Sequence, residues 1–393
     1  MNYQYIKIPK LYFYNRHKIS KEDILSVTRS LKHKNITKGL YLSIFENKLK
    51  KYFKCKYSLA FSNGTSALFA IAKSLSWNSN DNILVSPLSF VAGANAISNM
   101  KANPIFIDID EYFNLDPIKA EKKILDLKKN KKKVSAIIVT DYGGNPANWK
   151  KFLLLKKKYK LILINDNCHS LGSKLDKDSA YSTKFADIVV QSFHAVKNIT
   201  TAEGGAILTN NKIIYSKLAC VREHGFFKIQ SILPPWSYDL KDFGYNFRLS
   251  ELNCALGVSQ FNQLNKFIIK RNQIAKEYNK IFKNISLIKT PKVNENNLCS
   301  FHLYPLRFNW KRIKISKKNF YNKMKKKYGI NLQIHYKPTY KFTLYKSLVK
   351  NVSKNFPNTE KFYRDVFSIP LYVDLKKKEI NYIANAIIKT IKE

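Results

Sequence analysis

Acidic side chains are scarce in this 393-residue chain: 27 Asp and Glu stand against 70 Lys and Arg, a formal net charge of +43. So strong an imbalance raises one reading at once, a basic protein that binds nucleic acid or an anionic membrane surface. The lysines do not gather as that reading requires. Local runs at Lys122-Lys123, Lys128 to Lys133, Lys156 to Lys158, Lys317-Lys318 and Lys325 to Lys327 are spread over amphipathic helices and loops, without an RNP, zinc-finger or helix-turn-helix signature. Alongside abundant Asn, Ile and Tyr, they read as compositional drift, and nucleic acid is not expected as the main partner. The excess charge can still steer anionic substrates over long range.

Cysteine is also scarce. Cys55, Cys168, Cys220, Cys254 and Cys299 are odd in number, widely spaced and without a CxxC pair, which argues against a disulfide framework and against a zinc site. Reduced thiols fit the cytoplasm. No apolar stretch approaches the ~20 residues needed to span a bilayer, and Met1 to Lys10 lacks the apolar core of a signal peptide, so no membrane partner is expected. No internal repeat is visible. At 393 residues and 45% hydrophobic content, the chain exceeds what one core usually holds. A large domain over 1–265, including N-terminal helices, and a smaller α+β domain over 266–393 are expected.

Strand and helix patterns alternate through the first part of the chain. Ser20 with Asp23 three residues later marks a helix start, and a second helix is expected over Leu40 to Phe53. Short apolar runs at Tyr57 to Phe61, Asn82 to Val85, Ile105 to Ile107, Val134 to Val139 and Leu161 to Ile164 read as strands, with a helix from about Val91 to Met100 among them. Such alternation predicts an α/β domain with a mostly parallel sheet covered on both faces, whose ligands bind at strand ends. Further on, a helix is expected over Cys220 to Gly225, and Ser250 caps a long helix running through Leu264 into Ile269 and beyond. Phe301 to Phe308, Leu332 to Ile334 and a final helix over Lys378 to Ile391 complete the smaller domain.

Three stretches carry chemistry. Ser62-Asn63-Gly64-Thr65-Ser66 follows a strand and opens an apolar helix, presenting free N–H groups and hydroxyls at a positive dipole end that suits a phosphate. Taken alone it is equally a plain N-cap. Asp166 emerges just past an apolar strand, where its carboxylate can hydrogen-bond a ring nitrogen and keep it protonated; a helix-capping role is as common for an isolated Asp. Asp166, Cys168 and His169 are too few for a closed metal site. Between the apolar runs 186–190 and 204–209 lies Lys197, at the edge of a sheet, flanked by Ser192, His194 and Gly204-Gly205. A lysine held there can be desolvated and partly neutral, hence a carbonyl nucleophile able to form a Schiff base. Pyridoxal phosphate is the commonest biological partner for that chemistry.

In their order, Ser62 to Leu68, Asp166 to Ser170, Ser192-Phe193-His194 with Lys197, Glu203-Gly204-Gly205, and Gly244 to Arg248 with Ala255-Leu256-Gly257 resemble the motifs of the DegT/DnrJ/EryC1/StrS family of sugar-nucleotide aminotransferases. Ser86 to Ala92, His302 to Pro305 and Gln333 to Pro338 look most like a subgroup that aminates C4 of a UDP-linked 4-keto-6-deoxy hexose, while the lysine loop is equally similar to that of 4-amino-arabinose transaminases, so another keto nucleotide sugar is the alternative acceptor. The resemblance implies a fold type I pyridoxal-phosphate transferase, with L-glutamate and a nucleotide sugar as substrates. It implies that Lys197 holds the cofactor and moves protons, that Asp166 pairs with the pyridinium nitrogen, and that His169 lies near the ring hydroxyl. Phe90 would stack on the ring, while Gly64, Thr65, Ser66 and Ser192 would hold the phosphate. Asn246 matches a residue that reaches the phosphate of the neighbouring subunit, which implies a homodimer. His335, Tyr336 and His194 look like substrate-pocket residues. Asn165 and Asn167 depart from the acidic and small residues that usually flank the ring aspartate, so altered support around Asp166 is expected. A lysine at 197, where the family's dehydratase branch carries histidine, favours transamination.

Overall fold

The structure, a computed structural model, describes residues 11–227, 236–240 and 242–393. The opening Met1 to Lys10 and most of the loop after Gly225 lie outside the described residues.

The first eight strands of the chain among the described residues are β1 (Tyr57–Phe61), β2 (Asn82–Val85), β3 (Asn103–Phe106), β4 (Val134–Thr140), β5 (Ile162–Asp166), β6 (Lys174–Leu175), β7 (Ile188–Ser192) and β8 (Gly205–Thr209). Seven form one sheet in the order β1-β8-β7-β5-β4-β2-β3, while β6 pairs instead with Asn297–Leu298. From β7 to β3 every pair is parallel, and β8 runs against both of its neighbours. Since β1 opposes β8, it points the same way as β7. The C-terminal ends of β1, β4, β5 and β7 therefore open on one edge, and β8 starts there.

Both faces of this sheet are covered, which explains the near-continuous apolar runs. Ile137, Val139, Leu163 and Val189 enter one buried cluster, and their neighbours Ala136, Ile138, Ile164 and Val190 enter another on the opposite face. The period-2 alternation of a strand sends successive side chains to opposite sides. Close backbone packing at the functional edge requires Gly205, because a Cβ there would lie 2.5 Å from the carbonyl of Asn63. Gly205 thus serves close packing against the Asn63-Gly64 turn, and Gly204 makes room for the Thr201 side chain of the lysine loop.

The smaller core gathers helices Leu264–Phe282, Lys317–Tyr328 and Lys377–Lys392 around a three-stranded antiparallel sheet of Ile288–Lys289, Pro305–Phe308 and Val366–Ser368. Tyr12 joins this core from the N-terminal segment, where its backbone brackets Gly329 and Asn331. Helix Leu264–Phe282 bridges the two cores, with Phe267 and Ile268 in the large one and Ile274 and Tyr278 in the small. Tyr340, Tyr345 and Phe356 return to the large domain. Among the described residues no helix is long and apolar enough to cross a membrane.

Two local expectations are corrected. The long helix after Ser250 is two helices, Glu251–Asn262 and Leu264–Phe282, meeting at Gln263. There the side chains of Gln260 and Gln263 turn to the carboxylate of Asp23, which also accepts from the Ser20 N–H that opens helix Lys21–Leu31. Docking of that N-terminus supplies the polar partners that interrupt the helix. Helix Lys212–Arg222 ends before Glu223, and His224 and Gly225 take positive φ, which ends the helix there. Lys197 lies in the loop after β7, an interior strand, and so stands at the strand-end edge of the sheet.

Candidate active site

Last residues of neighbouring strands supply one wall of a cavity of about 680 Å³. Thr140 ends β4, Asp166 ends β5 and Ser192 ends β7, and all three line it. Asp166 is held from both sides: Thr140 Oγ1 donates to Oδ2 at 3.1 Å, and the Cys168 N–H donates to Oδ1 at 3.2 Å. Behind it lies Asp141, completely buried, which accepts from the Ala147 N–H, Trp149 Nε1, Asn165 Nδ2, Asn167 Nδ2 and the Tyr181 hydroxyl. Burial pushes the Asp141 carboxyl up to about 6 against those donors. Asn165 and Asn167 therefore serve Asp141. Gln191, beside Ser192, donates to Asn167 Oδ1 at 2.6 Å and ties β7 to the same hub. The two asparagines that depart from the family pattern fasten the strand ends on which Asp166 and Ser192 sit.

Gly64 and Thr65 line the cavity at the start of helix Gly64–Ser74. Asn63 caps that helix by accepting from the Ser66 N–H at 2.7 Å, and Ser66 Oγ accepts from the Asn63 N–H in return. The Ser66 hydroxyl is spent on this capping box and does not line the cavity. Among the described residues, the first-turn N–H groups of Gly64 and Thr65 have no internal acceptor, the usual state of a helix start.

Lys197 sits in a loop folded back on itself, in which Phe193 N–H reaches Gly204 O at 2.7 Å and Thr201 N–H reaches Phe193 O at 2.9 Å. Buried Phe193 anchors the loop against Phe45, with ring centroids 5.1 Å apart. Desolvation lowers the Lys197 ammonium below the usual lysine range, opposed by the Cys168 and Asp166 groups beside it. The amine is thereby brought closer to its neutral, nucleophilic form.

Facing the sheet edge are Tyr14, His302, Gln333, Ile334, His335 and Tyr336. His169 joins the two sides. The Gly143 N–H donates to its Nδ1 at 3.3 Å, so the remaining proton is on Nε2, which lies 3.0 Å from the Tyr336 hydroxyl. Burial first, and then the Lys197 charge, push His169, His302 and His335 down, His335 to about 3. All three rings are neutral at physiological pH. Phe90 is 58% exposed, with its ring 6.1 Å from that of Tyr336.

Of the expected site residues, Gly64, Thr65, Phe90, Asp166, His169, Ser192, His194, Lys197, His335 and Tyr336 meet in this one cavity. His194 lies at its exposed rim, with Nε2 3.6 Å from Glu203 Oε1. Ser66 and Asn246 do not join them. Asn246 is exposed and its backbone pairs with Glu223. Thr140 and Tyr14 carry no mark in the sequence reading, and Cys168 and His302 enter it only as members of motifs, without a site role. The strand-end rule that marks Asp166 applies equally to Thr140, whereas Tyr14 carries no local signal.

The sequence profile of the DegT/DnrJ/EryC1/StrS aminotransferase family matches residues 17–388. This chain belongs to that family. A UDP-4-amino-4,6-dideoxy-N-acetyl-beta-L-altrosamine transaminase from Campylobacter jejuni is 34% identical over 380 residues, 97% of each chain. The structure of a Helicobacter pylori aminotransferase involved in the biosynthesis of pseudoaminic acid superposes with a TM-score of 0.87 at 32% identity, covering 98% of this chain and all of that one. A putative sugar aminotransferase from Streptococcus pneumoniae, solved in a PLP-form, shares the fold with a TM-score of 0.86 at 23% identity, covering 98% and 99% of the two chains. As in other DegT/DnrJ/EryC1/StrS aminotransferases, a mostly parallel sheet flanked by helices carries the cavity, the fold type I arrangement.

Proposed function

We propose that this aminotransferase uses pyridoxal phosphate to move an amino group from L-glutamate to C4 of a nucleotide-linked 4-keto-6-deoxy hexose. The acceptor is best read as UDP-2-acetamido-2,6-dideoxy-β-L-arabino-hexos-4-ulose. The observation that carries the reading is the meeting of a desolvated lysine, a strand-end carboxylate and an open helix N-terminus in one cavity.

The donor set fits the cofactor. First-turn N–H groups of Gly64 and Thr65, with the Thr65 and Ser192 hydroxyls, suit a phosphate dianion. Asp166, its oxygens steadied by Thr140 and the Cys168 N–H, suits a protonated ring nitrogen. When bound, pyridoxal phosphate supplies the carbonyl that carries the amino group and the ring that withdraws electrons from the reacting carbon. Lys197 Nζ would hold the cofactor and, when its amine is free, would take the proton from the donor's α-carbon. In the second half-reaction the same amine delivers a proton to C4 of the sugar. His169, neutral with its proton on Nε2, orients the Tyr336 hydroxyl toward the reacting groups. His335 and Tyr336 form the substrate wall, and His194 stands at its rim. Exposed Asn246, away from its own cavity, reaches the phosphate site of a second copy, so the active form is a homodimer.

The test is spectroscopic and then chemical. Protein loaded with pyridoxal phosphate should turn yellow, lose that colour with L-glutamate and regain it with the UDP-linked 4-ketosugar. Restoration only by a differently linked ketosugar would replace the acceptor. Failure of glutamate to bleach the loaded protein would overturn the reaction itself. Nucleic-acid affinity that survives Lys197→Ala and falls steeply with salt would favour the basic-binder reading instead.

A further inference from the structure

Helix Leu264–Phe282 carries a guanidinium, Arg271, that is 1% exposed and has no carboxylate partner among the described residues. Its Nη1 donates to Phe301 O at 3.1 Å and Leu371 O at 3.2 Å, and its Nη2 donates to Asn15 Oδ1 at 3.0 Å. Asn15 is itself buried at 4%. Its Oδ1 also accepts from the Arg16 N–H at 2.8 Å, while its Nδ2 donates to Val196 O at 2.7 Å and to His302 O at 3.1 Å. Two lone pairs and two N–H bonds are all used. The amide cannot be turned over, because a guanidinium only donates and carbonyls only accept. One side chain thus runs from the core of the small domain to the carbonyl immediately before Lys197. On the far side of the lysine, Asn198 Nδ2 donates to Leu171 O at 2.7 Å.

We propose that Asn15 is a positioning residue for Lys197, its amide fastening the Val196 carbonyl to Arg271 and so setting where the lysine amine points. This rests on the reading of Lys197 as the cofactor-holding residue. Without the amide, a buried Arg271 N–H and the half-buried Val196 O both lose their partner, and the lysine loop is held on one side only.

Two variants separate positioning from mere filling. Asn15→Ala removes every contact. Asn15→Asp keeps both acceptor contacts and forms an ion pair with Arg271, which favours the fold, yet faces Val196 O and His302 O with no donor. Acetic anhydride labelling of the cofactor-free proteins across pH, read on the Lys197 peptide by mass spectrometry, reports the lysine without any catalysis. In Asn15→Ala the Lys197 titration is expected to move up by about one unit, a tenfold change in neutral fraction. For both variants, kcat should fall about tenfold or more with KM for glutamate little changed, as for a group acting only on the reacting amine. Wild-type labelling curves and wild-type kcat in the variants would overturn the proposal, and Asn15→Asp alone decides if Asn15→Ala does not fold. Loss of glutamate bleaching in the wild type would instead remove the aminotransferase reading, and the labelling curves would still report whether Asn15 sets the lysine's surroundings.

Discussion

On the sheet side of the cavity, Thr140, Asp166 and Ser192 end neighbouring strands, and each is aimed by the register of the sheet. On the opposite side, Tyr14, His302 and the adjacent pair His335-Tyr336 come from three separate segments and are held by contacts across long stretches of chain. The Tyr142 hydroxyl donates to the His335 carbonyl, His335 Nδ1 meets Ser368 Oγ at 2.9 Å, and the rings of Tyr14 and His335 lie 4.5 Å apart. Lys197 and Asp166 stand on the strand-end side, and the rings of Tyr14, His302, His335 and Tyr336 form the facing side. Covalent and proton-transfer chemistry needs fixed geometry, whereas substrate choice is served by a wall whose parts can vary independently.

The comparison is broken most severely at Lys197. On the proposed function, Lys197→Ala should lower turnover by about a thousandfold or more while leaving thermal stability close to wild type, since the amine would then act in chemistry and not in packing. Steady-state rates paired with calorimetry would check both halves. Asp141→Ala should do the reverse. Five buried donors lose their acceptor, so stability should drop by about 3 kcal/mol or more in denaturant unfolding. Molecules that remain folded should keep measurable activity.

Smaller effects are expected across the cavity. Removing the hydroxyl in Tyr336→Phe leaves His169 Nε2–H without an acceptor and should reduce kcat about tenfold, with cofactor absorption unchanged. His335 sharpens the contrast through pH. Its folded value lies near 3, well below that of an unfolded histidine, so it contributes stability present above about 6.5 and lost as pH falls toward 3. His335→Gln should therefore flatten the acid side of the stability profile by at most about 1.4 kcal/mol per pH unit. An unchanged slope would mean that the ring is not held neutral.

The sheet side was legible because its signals are local. An apolar run ending in a polar residue, a Gly-Thr-Ser helix start and a lysine between two strands each sit within a few residues, and the fold rule for ligands at strand ends joins them. Thr140 obeys the same rule. Ser66 shows where such reading overreaches, since a capping box and a phosphate cradle use the same residue types and only the hydrogen bonds separate them.

Composition, periodicity and motif order determined by themselves the α/β class, the strand-end placement of Asp166 and the loop that carries Lys197, because short-range sterics and hydrophobic alternation act on neighbours in the chain. Only the tertiary structure decided that Asn165 and Asn167 serve Asp141, that three histidines are neutral, and that Asn15 stands between Arg271 and the lysine loop. Burial and long-range hydrogen bonds set those properties. They depend on which distant segments meet, and no window of sequence contains both partners.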